Sequence, residues 1–275
     1  MDNRRVGGGI GIIVALVMAA FAVFQYFANT KVNPATGDKQ HVTLTSQQEI
    51  TLGQQAAPQM EQQFGGLSQD AEGQARVERV GNQIATHSDA AKSPYQYEYH
   101  LLADTNTVNA FALPGGQIFI TEGLLKRLKS DGQLAGVLSH ETGHVIARHS
   151  AEQLAKQKLT SGLVNAAGVA GSSSQDPYSG QRTAQLAAAV GQMANLKFSR
   201  NDELEADRLG VKLMSEAGYD PRAMLGVMQV LSELSKSGRT PEFFSTHPNP
   251  ENRSAKIKQA INKVYPQGVP SGMRE

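Results

Sequence analysis

Two histidines four residues apart, in His140-Glu141-Thr142-Gly143-His144, constrain this chain more than any other feature. In an α-helix, positions four apart differ by only about 40° around the axis, so both imidazoles project from one face, one turn apart. The stretch from Asp131 to about Lys158 carries a helical pattern, which puts the pair on such a face. The two rings can then share one ion. Neutral imidazole is a good zinc ligand, and Glu141 is placed to take a proton from a metal-bound water instead of binding the metal. The competing reading is a surface His and Glu on an ordinary amphipathic helix. With no cysteine in 275 residues, disulfides, thiolate nucleophiles, iron–sulfur clusters and Cys-based zinc sites are excluded, so any metal must be held by His, Asp or Glu.

Zinc in a catalytic site takes three protein ligands and leaves a fourth position to water. The other histidines to consider are His100, His149 and His247. A metzincin pattern would require a third His at 150 and a Gly at 147; the chain has Ser150 and Ala147, so that subclass is excluded. Continued as a helix, His149 sits about 140° from His144 and is expected to be solvated. A carboxylate is the better candidate. Glu203 and Asp207 are four apart on one face of another predicted helix, while Glu205 points away. Glu203 can complete the zinc shell, and Asp207 can accept the free N–H of a ligand His, fixing its tautomer. Alternatively, this acidic run only favours a helix N-terminus through the dipole.

Twenty-six Lys plus Arg against 25 Asp plus Glu, net +1, argue against nucleic acid as the main partner. Hydrophobic residues at 40% and charged residues at 19% describe a globular chain, expected here as one folded domain. From Val6 to Phe24 every residue is Gly, Ala or a larger apolar type, and nineteen helical residues approach the roughly 30 Å of a bilayer core. Arg4 and Arg5 precede the segment, so it is expected to anchor the chain with the remainder across the membrane. A cleaved signal is the alternative, but Phe24, Gln25, Tyr26 and Phe27 stand where a small-x-small site would be. Asn29 to His41 reads as a linker.

Folding is expected to resume at Thr45, where TSQQE is a capping box opening a helix to about Phe64. A second helix is expected over Asp70 to His87. Strands are expected over Tyr95 to Ala103, Asn109 to Leu113 and Gln117 to Thr121, the last two joined by Pro114-Gly115-Gly116. The remainder reads as helical apart from Gly168 to Gly180, a Gly- and Ser-rich stretch expected as a surface loop. The fold class is α+β, mainly helical with a small sheet of about three strands.

HETGH, the run FSRNDELEAD with Glu-x-x-Ala-Asp about sixty residues later, and Ser245-Thr246-His247-Pro248 resemble the zinc endopeptidases that include HtpX, the mitochondrial Oma proteases and the CAAX prenyl protease, peptidase family forty-eight of gluzincin type. NAFALPGGQIFITEGLL also matches the pattern upstream of the active helix, so the resemblance covers about Asn109 to Arg253. It departs in the membrane part: the HtpX and prenyl protease branches have several transmembrane helices, and this chain has one at most. It looks closer to periplasmic single-domain bacterial members, without the lipid-attachment Cys of some.

The resemblance implies one Zn²⁺ per chain held by His140, His144 and Glu203, with Glu141 as general base, Asp207 supporting and His247 donating to the tetrahedral intermediate. Composition alone would make His247 a capping or core His. Arg253 either orients its segment, pairs with an acid, or is simply solvated. The implied organisation is an anchor or signal over 1–28, a linker over 29–44, a zinc metallopeptidase domain over 45–265 and a tail over 266–275. Asn109, Ala110 and Phe111 are expected on an edge strand that holds an extended polypeptide by strand addition, or alternatively inside the sheet. Backbone pairing favours broad cleavage of unfolded or damaged protein, in protein quality control at the bacterial inner membrane or in the periplasm. A membrane-tethered, chaperone-like binding protein with a structural metal is the other class; it would not need Glu141. A hydrolase of small molecules or prenylated peptides would call for a multi-helix membrane chamber that this chain lacks.

Overall fold

The capping box at Thr45 forms: its hydroxyl accepts from the Gln48 N–H at 3.3 Å while the Gln48 side chain accepts from the Thr45 N–H at 2.9 Å. It opens one of the helices of a computed structural model that describes residues 4–171, 196–236, 240–249 and 252–275. In chain order these are α1 (Arg4–Ala28), the hairpin β1 (Thr30–Val32) and β2 (Lys39–His41), α2 (Ser46–Gln63), α3 (Ala71–His87), β3 (Glu98–Leu102), β4 (Ala110–Ala112), β5 (Gln117–Thr121) and a short α4 (Glu122–Leu125). Then follow α5 (Asp131–Ile146), α6 (His149–Gly171), α7 (Arg200–Glu216), α8 (Ala223–Lys236), α9 (Phe243–Thr246) and α10 (Arg253–Val264). The class is α+β, mostly helical with small sheets, as expected.

The main sheet has the order β3-β5-β4, with β5 parallel to β3 and antiparallel to β4. Its central strand is buried throughout. Alternation sends Ile118 and Ile120 to one face, into a core with Val80, Ile84, Leu134, Leu138 and Leu213, and Phe119 to the other, against Phe111 and Phe64. Strand β4 is therefore an edge, with no strand beyond it among the described residues. The turn joining β4 to β5 needs glycine, since Gly115 has φ 84° and Gly116 φ 113°. Helix α2 lies directly on that turn: a Cβ on Gly53 would meet the Pro114 carbonyl oxygen at 2.0 Å.

Helix α5 is buried at every residue from Leu134 to Ile146, which removes the surface-helix reading of HETGH. Gly143 faces α7, where a Cβ would lie 3.0 Å from the Ala206 carbonyl oxygen; on α7, a Cβ on Gly210 would lie 3.2 Å from the His140 nitrogen. These two positions without side chains let α5 and α7 pack closely.

Three expectations about layout need correction. The helical stretch from Asp131 to Lys158 is not continuous, because Arg148 adopts φ 59° between α5 and α6. Its guanidinium bonds the buried Glu49, with Nε at 3.0 Å, and the Leu44 carbonyl at 2.8 Å, while Tyr95 donates to the other Glu49 oxygen at 2.6 Å. Those contacts offset the cost of a left-handed residue, about 1–2 kcal/mol for one with a Cβ. The 29–44 segment forms a hairpin and not a free linker: buried Asn33 donates to the Ile146 carbonyl at 2.9 Å, and Gln40 donates to that of Ala147. Residues Gly168 to Gly171 of the expected loop close α6, and 172–180 lie outside the described residues. Apart from these, Arg274 in the 266–275 tail exchanges backbone hydrogen bonds with Gly218 and Asp220.

Replacing Gly53 by Ala is expected to cost about 1–3 kcal/mol, since the added methyl meets backbone and not a side chain that can swing away. The denaturant midpoint checks this; an unchanged midpoint would mean that α2 does not sit on the Pro114 turn.

Candidate active site

Three elements supply the polar cluster at the centre of the molecule. From α5, the Nε2 atoms of His140 and His144 converge to 3.1 Å. From α7, Glu203 brings Oε2 to 3.5 Å from His140 Nε2 and Oε1 to 3.4 Å from His144 Nε2. From the end of α9, His247 sets Nδ1 3.0 Å from Glu203 Oε1. One ligand atom from each of the four lies within 4.8 Å of the others, and all four residues are buried. The donor set suits a cation. Both Glu141 oxygens and His247 Nε2 are buried without a hydrogen-bond partner among the described residues, a costly arrangement that a bound cation would relieve; Glu203 Oε2 also accepts no hydrogen bond there, although the Arg253 guanidinium faces it. A fourth protein ligand would take the position that zinc keeps for water, so His247 cannot bind an ion and serve as a donor at the same moment.

The surrounding groups fix these side chains. Asp207 Oδ1 lies 2.9 Å from His140 Nδ1. Arg253 is 2% exposed, bonds Asp207 through Nε at 2.7 Å and Nη2 at 2.9 Å, and brings Nη1 to 3.1 Å from Glu203 Oε2. The solvated reading of Arg253 is therefore wrong; it pairs with acids. His247 stacks on Phe243 at 4.3 Å, and His144 on Phe198 at 4.1 Å.

Burial lowers the basicity of His144 well below the usual imidazole value, keeping it neutral with a lone pair to offer. Burial acts on His140 the same way, but hydrogen bonds with Asp207 and Glu203 outweigh it and raise this group to about 9. Burial would also raise Glu203, yet His247, His140 and His144 hold its carboxyl well below the ordinary range. Glu141 is pushed up by burial.

His149, expected to be solvated, is 1% exposed and sets its Nδ1 2.8 Å from His144 Nδ1. The 140° extrapolation assumed a continuous helix, and the left-handed Arg148 breaks it. No glycine marks that break in the sequence, so nothing there announced it. Glu205 does point away from the Glu203 face, toward His149 Nε2 at 3.4 Å. His100 stays outside the cluster, bonded to Gln117 at 2.9 Å. Asn109 is buried beside the edge strand with Oδ1 unpartnered, and it lines a cleft with Phe111, Phe64, Phe198 and His247. Ala110 and Phe111 lie on β4 itself.

Such a cluster, with a free carboxylate one residue from a converging His, marks a metalloprotease. The chain belongs to Peptidase family M48, whose profile matches residues 71–261, as the resemblance implied. It is 29% identical over 266 residues to the beta-barrel assembly-enhancing protease of Escherichia coli K12, covering 94% of this chain and 54% of that one. It is 39% identical over 184 residues to the mitochondrial metalloendopeptidase OMA1 of Schizosaccharomyces pombe, covering 66% and 51%. The metalloprotease YcaL of E. coli K12 is 25% identical over 261 residues, covering 95% and 98%. The chain thus spans about half the length of the first two relatives.

With Asp207 and Glu203 raising the proton affinity of His140 to about 9, metal uptake at neutral pH is expected to displace a proton from it. The sign follows: affinity rises with pH, about tenfold per unit for one proton released, and levels off above about 9. Chelator competition between pH 6.5 and 9.5 measures this slope. A flat profile would mean that His140 does not change protonation on binding.

Proposed function

We propose that the chain is a zinc-dependent endopeptidase that hydrolyses unfolded or damaged polypeptides, held by α1 at the bacterial inner membrane with its domain in the periplasm. The observation that carries the catalytic part is the convergence of His140, His144 and Glu203 beside a Glu141 carboxylate that accepts no hydrogen bond among the described residues. A structural metal would have no use for that carboxylate, which speaks against the chaperone-like alternative. When bound, zinc supplies a Lewis acid that polarises the scissile carbonyl and lowers the pKa of water toward about 7. Glu141 takes a proton from the attacking water and passes it to the departing amine. Its raised proton affinity, from burial, suits both halves of that transfer. His247, with Nε2 free and 3.7 Å from Glu141 Oε1, donates to the developing oxyanion. Asp207 and Arg253 hold His140 and Glu203 in place. The edge of β4 pairs with an extended peptide backbone, and the unpartnered Asn109 Oδ1 accepts from one of its N–H groups.

For the membrane part, the support is one helix long and apolar enough to cross a bilayer among the described residues, with a mean hydropathy of 2.2 over Gly11–Ala28. Arg4 and Arg5 before it favour a cytoplasmic N-terminus; a cleaved signal releasing the domain into the periplasm is the alternative. The broad substrate class follows from backbone pairing, and one relative's printed name, a protease that enhances beta-barrel assembly, fits a quality-control setting. On this reading 1–28 is the anchor, and 45–265 the peptidase domain, with the 29–44 hairpin docked on it.

Glu141→Gln is expected to keep full zinc occupancy and lose casein cleavage, because the amide keeps shape and cannot take a proton. Glu203→Ala is expected to lose the metal. Elemental analysis beside the cleavage assay checks both, and a Glu203→Ala protein full of zinc would move the third ligand elsewhere. For orientation, a reporter fused after Glu275 should be active only in the periplasm; cytoplasmic activity would invert the topology.

A further inference from the structure

We propose that His149 and Glu205 are positioning residues that set the tautomer and ring orientation of the metal ligand His144. This rests on the reading of His140, His144 and Glu203 as the zinc site. A single hydrogen must lie between His144 Nδ1 and His149 Nδ1 at 2.8 Å, and which ring carries it decides whether His144 can bind an ion. If His149 carries it, the proton of neutral His144 sits on Nε2, the atom that faces His140 and Glu203. If His144 carries it, Nε2 is a free lone pair. Glu205 selects the second arrangement: its Oε2, 3.4 Å from His149 Nε2, holds the His149 proton there and leaves His149 Nδ1 as an acceptor.

Three further observations support this relay. Both rings are 1% exposed, so water does not compete for the nitrogens. Phe198 lies on the face of His144, which leaves its orientation to be fixed at Nδ1. The left-handed Arg148 is what turns His149 back onto His144, and it is anchored from outside the site by Glu49 and the Leu44 carbonyl. Strain of this kind, held by surrounding structure, is characteristic of functional positions. The two ligand histidines are thus held differently from one helix: His140 directly by Asp207, His144 through His149 by Glu205.

The test compares two substitutions with opposite merits. His149→Phe fills the volume and has no lone pair; His149→Asn is smaller but puts an acceptor oxygen where Nδ1 stood. Zinc affinity by chelator competition should fall about 10–100-fold for Phe and stay near wild type for Asn. Replacing zinc by Co²⁺ should give a shifted visible spectrum for Phe alone. Glu205→Ala should weaken zinc in the His149 protein and have no effect in the His149→Asn background, where there is no tautomer to select. The reverse order, Phe tolerated and Asn not, would make His149 a packing residue and overturn the proposal, as would both variants binding within threefold of wild type. The melting temperature of the metal-free proteins keeps fold and metal effects apart. The wild-type protein and His140→Ala serve as controls: if the first lacks zinc or the second retains it, the zinc site itself has failed, which is a different result.

Discussion

The close approach of α5 and α7, allowed by Gly143 and Gly210, is the constraint on which the rest of the structure depends. It brings five ionisable groups, His140, Glu141, His144, Glu203 and Asp207, into a buried space. Burying that many charges is affordable only if each is matched, and the protein matches them incompletely. Asp207 receives Arg253 and His140; Glu141 and one oxygen of Glu203 receive no hydrogen bond. Lone pairs from His140, His144, Glu203 and His247 converge on one small volume, which is why the donor set reads as a cation site and not as a closed salt-bridge network.

Elements far apart in the chain supply the walls. The Pro114-Gly115-Gly116 turn is clamped by α2, so the edge strand that it terminates is held rigidly beside the cleft. Phe243 and Phe198 each cover one imidazole and fix ring planes by stacking. Ring orientation matters more here than in an ordinary core, because a lone pair is directional and a methyl group is not.

What could be read from the sequence was whatever depends on local periodicity. HETGH, Glu203 with Asp207, and the Thr45 cap each use spacings of three or four residues, and the helix geometry that translates them into space held. The opposite facing of Glu205 followed from the same rule. The edge position of β4 depended on strand order, which spacing does not encode. Where a backbone angle changed, the rule failed: one left-handed residue at 148 moved His149 from the expected surface to the core. Spacing does not decide Arg253, whose partners lie more than forty residues away on α7, and the buried polar side chains of the 29–44 hairpin have the composition of a linker. A long basic or amide side chain carries no local sign that it will be buried.

The carbonyls that close α5, that of Ile146 and of the Ala147 that follows it, accept from the side chains of Asn33 and Gln40. The segment that leads away from α1 is therefore also the lid on the C-terminal end of the HETGH helix. A fragment cut free of its apolar N-terminus at Thr45, where the capping box opens α2, would leave those carbonyls bare two or three residues after His144. Soluble material meant to keep the site intact has to start ahead of β1 (Thr30–Val32), so that the hairpin comes with it.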